Sequence, residues 1–144
     1  MKALFDTSVL VAAMVEDHPQ HERCLPWLQR ARQGKVDFLV SAHTLAELFA
    51  VLSSYPTRPR LSPAVAARLV RENVSAGARL VPLAASDYDA VIREMAELSL
   101  AGGVVYDALI ARAARKAGAE RLLTLNPRDF LRVWPDGARI ITTP

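Results

Sequence analysis

The chain has a single cysteine, Cys24, among its 144 residues. One thiol excludes an internal disulfide and a thiolate metal cage, and it fits a reducing compartment. Lysine is scarce too, with three against fifteen arginines. Arginine grips phosphate with two parallel hydrogen bonds, so the bias suits a nucleic-acid partner; codon usage in a GC-rich genome gives the same bias. No apolar run approaches the roughly 20 residues that cross a bilayer. The opening Met1-Lys2-Ala3-Leu4-Phe5 resembles a signal peptide until Asp6 interrupts it, and Val9 to Val15 is a short run. A cytoplasmic protein is expected. There is no internal repeat, low-complexity tract or long linker, so residues 1–144 read as one domain.

What is abundant is apolar. Hydrophobic residues make up 51% and charged residues 23%, which excludes intrinsic disorder. A chain of this length buries about two-thirds of its unfolded surface and needs no staples. The formal charge of +3 permits a polyanionic partner without demanding one.

The pattern alternates strands and helices. Leu4-Phe5 closes a first strand, and Ser8 is expected to cap a helix through Met14. A second helix runs from about Gln20 to Gln33 and stops at Gly34. Asp37 to Val40 is a second strand. Ser41 caps a helix over Ala42 to Ser53, where Leu45, Leu48, Phe49 and Leu52 recur at helical spacing. Tyr55 to Arg60, with two prolines and two arginines, is a loop. Ser62-Pro63 opens a helix to about Ala76. Arg79 to Leu83 is a third strand, and Ser86 caps a helix to about Leu100. Gly102-Gly103 separates it from a helix over Tyr106 to Ala117, closed by Gly118. Arg121 to Leu125 is a fourth strand, Pro127 to Leu131 a turn or short helix, and Arg139 to Thr142 the last strand. Alternation of this kind predicts an α/β fold with a central, mainly parallel sheet covered on both faces. In such sheets, chemistry gathers at the carboxyl ends of the strands.

Three acids stand in apolar company: Asp6 after Leu4-Phe5, Glu47 between Ala46 and Leu48, and Asp107 between Tyr106 and Ala108. A buried carboxylate has to be paired, protonated or metal-bound. Each has an ordinary reading, as a helix cap, an Arg partner or a first-turn acid. Together they fall where a doubly wound sheet converges. Clustered carboxylates repel, and a hard divalent cation such as Mg²⁺ or Mn²⁺ relieves the repulsion. A cation held this way most often serves phosphate esters. Receiver domains also hold such a cluster, but Lys2, Lys35 and Lys116 are misplaced for one. Haloacid-dehalogenase-type phosphatases need a second Asp where Ser8 stands.

Four segments carry a resemblance. They are Leu4-Phe5-Asp6-Thr7-Ser8-Val9-Leu10, Ala46-Glu47-Leu48, Tyr106-Asp107-Ala108-Leu109-Ile110-Ala111, and Leu123-Thr124-Leu125-Asn126-Pro127-Arg128-Asp129-Phe130. In this order and spacing the chain resembles a PIN domain, and more closely the VapC-type toxins of bacterial toxin–antitoxin pairs. The resemblance implies a three-layer α/β/α sandwich and a Mg²⁺- or Mn²⁺-dependent endoribonuclease that cuts RNA with metal-activated water. It also implies a homodimer and a cognate antitoxin whose C-terminal segment fills the groove. Asp6 and Asp107 match direct metal ligands, and Glu47 matches the acid that holds a second metal or orients water. The hydroxyl of Thr7 or Ser8 matches a contact to a metal water or to phosphate. The family's fourth acid falls at Asn126, with Asp129 three residues on, and either one is a candidate. Uncharged Asn126 motivates the alternative of a non-catalytic PIN-like RNA-binding or scaffold module. A small-molecule phosphatase is a third reading.

Other residues carry weaker signals. Arg58 and Arg60 could meet RNA or an antitoxin, or could be a solvated loop. His43, four residues before Glu47, could sense phosphate or could cap and pack. His18, His21 and Cys24 have zinc-like spacing but lack a fourth ligand. Trp27 and Trp134 read as core or dimer-interface residues. Asp87 and Asp89 read as ordinary first-turn acids, and Arg112 as facing away from Asp107.

Overall fold

Five short strands carry the molecule, described over residues 1–144 in a computed structural model. They are β1 (Lys2–Phe5), β2 (Asp37–Ser41), β3 (Arg79–Val81), β4 (Arg121–Leu123) and β5 (Ile141–Thr142). Every pairing is parallel, in the order β3-β2-β1-β4-β5. The sheet is therefore wholly rather than mainly parallel. Seven α-helices cover it: α1 (Thr7–Met14), α2 (His21–Arg32), α3 (Ala42–Ser54), α4 (Pro63–Val70), α5 (Ala85–Glu97), α6 (Val104–Ala117) and α7 (Pro127–Val133).

Alternation along the strands splits the core in two. Ala3 and Phe5 of β1, Phe38 and Val40 of β2 and Leu123 of β4 face one way, toward α1, α2, α3 and α4. Leu4, Leu39 and Leu122 face the other way, toward α5, α6 and α7. The result is three layers, α/β/α. No helix is long and apolar enough to cross a membrane.

Element ends differ from the sequence expectation where a side chain finds a distant partner. Helix α1 begins at Thr7, with Asp6 extended at its cap position. Ser8 caps nothing; its hydroxyl turns back to Asp6. Helix α5 begins at Ala85, and the cap-like contact comes from Asp87, which accepts the Ala84 N–H at 2.8 Å, not from Ser86. It ends at Glu97, because Ser99 adopts a left-handed φ of 55°. Helix α6 begins at Val104, two residues earlier than expected. Ser62 does cap α4, accepting from Val65 N–H at 3.2 Å. That helix widens after Val70 into a π-helical turn, Arg71–Ser75. Asn73 donates to the Leu69 carbonyl at 2.9 Å there, diverting it from the regular ladder. Strand β3 stops at Val81, since Pro82 has no N–H to give the sheet. Strand β4 ends at Leu123, although the Thr124 N–H still donates to the Thr142 carbonyl at 3.0 Å.

Asp87 is no ordinary first-turn acid. It is buried, with Lys116 Nζ at 2.9 Å and Arg112 Nε at 3.1 Å. Hydrogen bonds from Lys116, Ala84 and Arg112 lower its pKa to about 2. A lowered acid stabilises the fold fully above its unfolded value near ~4 and loses that contribution as pH falls through about 2. Thermal melts between pH 5 and pH 2, values chosen to bracket that window, should therefore fall more steeply for the wild type than for Asp87→Asn. Parallel curves would remove Asp87 from the acid response.

Candidate active site at the carboxyl edge of the sheet

Strand β1 sits in the middle, and the chain leaves it first toward β2 and β3, then returns on its other side as β4 and β5. The point between β1 and β4 is where successive connections diverge, so loops part and leave a crevice at the carboxyl edge. Asp6 emerges from β1 at this point. Its N–H donates to the Leu123 carbonyl at 2.9 Å, and its side chain is 4% exposed.

Two hydroxyls hold the Asp6 carboxylate. Ser8 Oγ donates to Oδ2 at 2.6 Å and Thr124 Oγ1 donates to the same oxygen at 2.8 Å. Each hydroxyl accepts a backbone N–H in turn, Ser8 from Leu125 at 3.1 Å and Thr124 from Asn126 at 2.9 Å. Those acceptances aim both hydroxyl protons at Asp6. Burial pushes the Asp6 carboxyl up, while these hydrogen bonds and those from the Thr7 and Ser8 backbone pull it down.

Glu47 lies on α3, where Thr7 Oγ1 donates to its Oε2 at 3.0 Å. His43 Nε2 lies 3.1 Å from Oε1, one turn earlier on the same helix. That contact is an ion-pair distance without hydrogen-bond alignment, so Oε1 is buried with no aligned donor. Burial raises the Glu47 carboxyl; Thr7 and His43 lower it and the charge of Asp6 raises it. The imidazole of His43 also stacks on Tyr106, with centroids 5.7 Å apart and planes 5° from parallel.

Asp107 lies in the first turn of α6. Burial is the largest influence on it, followed by the charges of Asp6, Asp129 and Glu47, and together they push it up to about 7. No hydrogen bond within the chain offsets them. Asp6, Glu47 and Asp129 thus act on Asp107 through their charges; no three His, Cys, Asp or Glu side chains stand close enough together to hold a metal ion among them. Of the two candidates near the fourth position, Asp129 adds charge that Asp107 feels, and Asn126 contributes its backbone N–H. Asp129 also pairs with Arg132 at 3.5 Å.

Other expected residues stay apart. Arg58 and Arg60 are exposed on the loop after α3. His18 accepts the Gln20 N–H, His21 bonds the Ala12 carbonyl at 2.8 Å, and Cys24 is buried, so these three form no zinc site. Arg112 turns to Asp87, as its spacing implied. A hollow of about 370 Å³ between Lys2, Ala31, Asp37 and Arg79 opens at the amino edge and includes none of Asp6, Glu47, Asp107 and Asp129.

Thr124 is the residue to which the sequence assigns no role. Its signal is positional: it follows β4 as Asp6 follows β1, at adjacent strand ends. Thr124→Val keeps the shape and removes the donor. It should cost about 1–2 kcal/mol of stability and slow turnover, by freeing Asp6 to rotate. Unchanged melting and unchanged rate together would deny the clamp.

Carboxylates gathered at the switch point of a parallel three-layer sheet mark an α/β/α domain with an acidic site at the carboxyl edge of its sheet. The PIN domain family profile matches residues 3–133. The chain is 34% identical over 115 residues to Ribonuclease VapC27 of Mycobacterium tuberculosis, covering 80% of this chain and 78% of that protein. It is 32% identical over 123 residues to Ribonuclease VapC40 of the same species, covering 85% of each. The chain belongs to the PIN domain family, among its VapC ribonucleases. Two crystal structures share the fold. One is VapBC2 from Rickettsia felis bound to a DNA fragment from its promoter, with TM-score 0.64, 20% identity, and coverage of 99% of this chain and 98% of that one. The other is M. tuberculosis VapC20, a Sarcin-Ricin loop cleaving toxin, with TM-score 0.63, 21% identity, and coverage of 83% and 86%.

Proposed function

We propose that this protein is the endoribonuclease toxin of a toxin–antitoxin pair, hydrolysing RNA phosphodiester bonds with Mg²⁺ or Mn²⁺. The observation that carries the metal is Asp107, half-buried among like charges and pushed up to about 7. Without a cation it would hold a proton over much of the neutral range. The surrounding donors are hard oxygens, the kind that Mg²⁺ and Mn²⁺ select. Asp6 and Asp107 would be the direct ligands. When bound, the cation supplies positive charge against the scissile phosphate and acidity to a water.

The remaining roles belong to the chain. Ser8 and Thr124 fix the plane of the Asp6 carboxylate. Thr7 fixes Glu47, which would hold a second cation or orient the attacking water. Asp129 adds negative charge and so favours a further cation. Similarity to VapC27 and VapC40, both named ribonucleases, supports RNA as the substrate. The VapBC2 assembly supports an antitoxin partner. A homodimer and a cytoplasmic location complete the reading. Uncharged Asn126 favours the second reading, a non-catalytic RNA-binding module.

The test is incubation of purified protein with total RNA and Mg²⁺ or Mn²⁺, beside an EDTA control and Asp6→Asn. Discrete fragments that vanish in both controls support the nuclease. Intact RNA with a folded, RNA-binding protein would favour the non-catalytic module. Fragments persisting in Asp6→Asn would move the chemistry away from these acids.

A further inference from the structure

Tyr106 is the immediate neighbour of Asp107, and its side chain is left outside the acid cluster. It is 52% exposed, high for so large a ring on a helix whose residues 108 to 111 are buried. His43 lies against it nearly parallel, and a centroid distance of 5.7 Å at 5° is an offset stack. At that spacing the two rings overlap little, so most of the phenol stays open to solvent. His43 in turn touches Glu47 at 3.1 Å. An imidazole and a phenol from two helices thus make an aromatic ledge beside Glu47, and Asp107 is the next residue along α6.

The other exposed aromatic groups lack this placement. Phe49, 39% exposed, stands on α3 two residues past Glu47 but stacks on no other ring. Tyr88, 40% exposed, stands on α5. Only Tyr106 adjoins the acids in sequence and stacks on a group that touches one of them.

We propose that Tyr106, backed by His43, stacks an unpaired nucleobase next to the scissile phosphate. This rests on the proposed ribonuclease function and adds to it a positioning residue for the base beside the cut. The chemistry favours it. The acids repel a polyanion and offer no donor to a base, whereas an aromatic face attracts any base without regard to charge. A duplex keeps its bases inside and has none to offer the ledge. Tyr106 acts as a positioning residue: holding the base fixes the adjoining phosphate over the acids.

The test uses full-length protein, a fluorescein-labelled single-stranded RNA of mixed sequence, and a fully paired RNA duplex. Binding is measured by anisotropy with Mg²⁺ in an Asp6→Asn background, and KM and kcat are measured without that substitution. Tyr106→Ala should weaken single-strand binding by roughly 5- to 150-fold and raise KM more than it lowers kcat. Tyr106→Phe and Tyr106→Trp should restore both. Duplex binding should not change. An exposed position predicts an unchanged melting temperature in all three variants. If the wild type binds and cuts RNA and Tyr106→Ala matches it, the inference falls alone. Equal losses on strand and duplex, or no rescue by Phe and Trp, would also overturn it by assigning Tyr106 to the backbone or to the fold. If the wild type neither binds nor cuts RNA, the ribonuclease reading falls and takes the inference with it.

Discussion

Asp107→Asn should lower RNA cleavage by about 10³-fold or more and at the same time make the metal-free protein harder to unfold. The first effect follows from removing a charged oxygen donor from the cluster. The second follows from the field that Asp107 experiences. Burial, then Asp6, Asp129 and Glu47, raise its pKa to about 7 from an ordinary value of 3.8. A raised carboxyl favours the folded state while protonated and penalises it once ionised. The penalty is absent below the unfolded value, grows as pH climbs toward about 7, and is complete above it. Asp107 is partly exposed, so solvent screening reduces the full shift to about 1–2 kcal/mol. Asparagine escapes the penalty. At alkaline pH in EDTA the variant should melt about 3–6 °C above the wild type, and the gap should close in mild acid. Mg²⁺ should also narrow it, by stabilising only the protein that binds it well. Equal melting at alkaline pH would mean that the acids lie too far apart to feel one another. Cleavage that survives the substitution would remove Asp107 from the chemistry.

Phe5→Ala should cost about 3–5 kcal/mol, a large fraction of the whole stability of a domain this size. Phe5 is fully buried and meets Phe38 edge to face at 4.8 Å, with planes at 71°. It lies on the central strand, beneath α1 to α4, so no loop can collapse into the space left behind. Urea unfolding should show a lower midpoint at an unchanged slope. Ile92→Ala is the comparison: at 61% exposure on α5 it should shift stability by less than about 0.5 kcal/mol. A Phe5→Ala loss near that small value would show that the core at β1 closes over the gap. Because the next residue is Asp6, activity in the surviving folded fraction reports whether packing also sets the carboxylate's position.

Asp6, Glu47 and Asp107 stand out in the sequence because each interrupts an apolar stretch, and position after a strand or in a helix's first turn tells which edge they share. The layers are equally legible, since parallel strands buried on both faces leave continuous apolar runs such as Phe38-Leu39-Val40. Helix starts are not. Ser8 and Ser86 are ideal local caps, yet Ser8 is drawn to Asp6 and Asp87 supplies the contact at α5. Asp87 itself answers to cations 25 and 29 residues away, a pairing no local spacing reveals. Tyr106 gives no signal along the chain for a similar reason. Its importance lies in His43, which another helix brings alongside.

The central position of β1 has a consequence for the birth of the molecule. The strand made first is flanked by β2 on one side and by β4 on the other, and the hydroxyl of Thr124 reaches back across 118 residues to Asp6. A chain still emerging from the ribosome holds Asp6, Glu47 and Asp107 before it holds the strand that fixes the first of them. Long-range closures of this kind form late. The clamp on Asp6 therefore closes only after β4 has been made and has paired with β1, so the acid that is synthesised first is the last to be fixed in place.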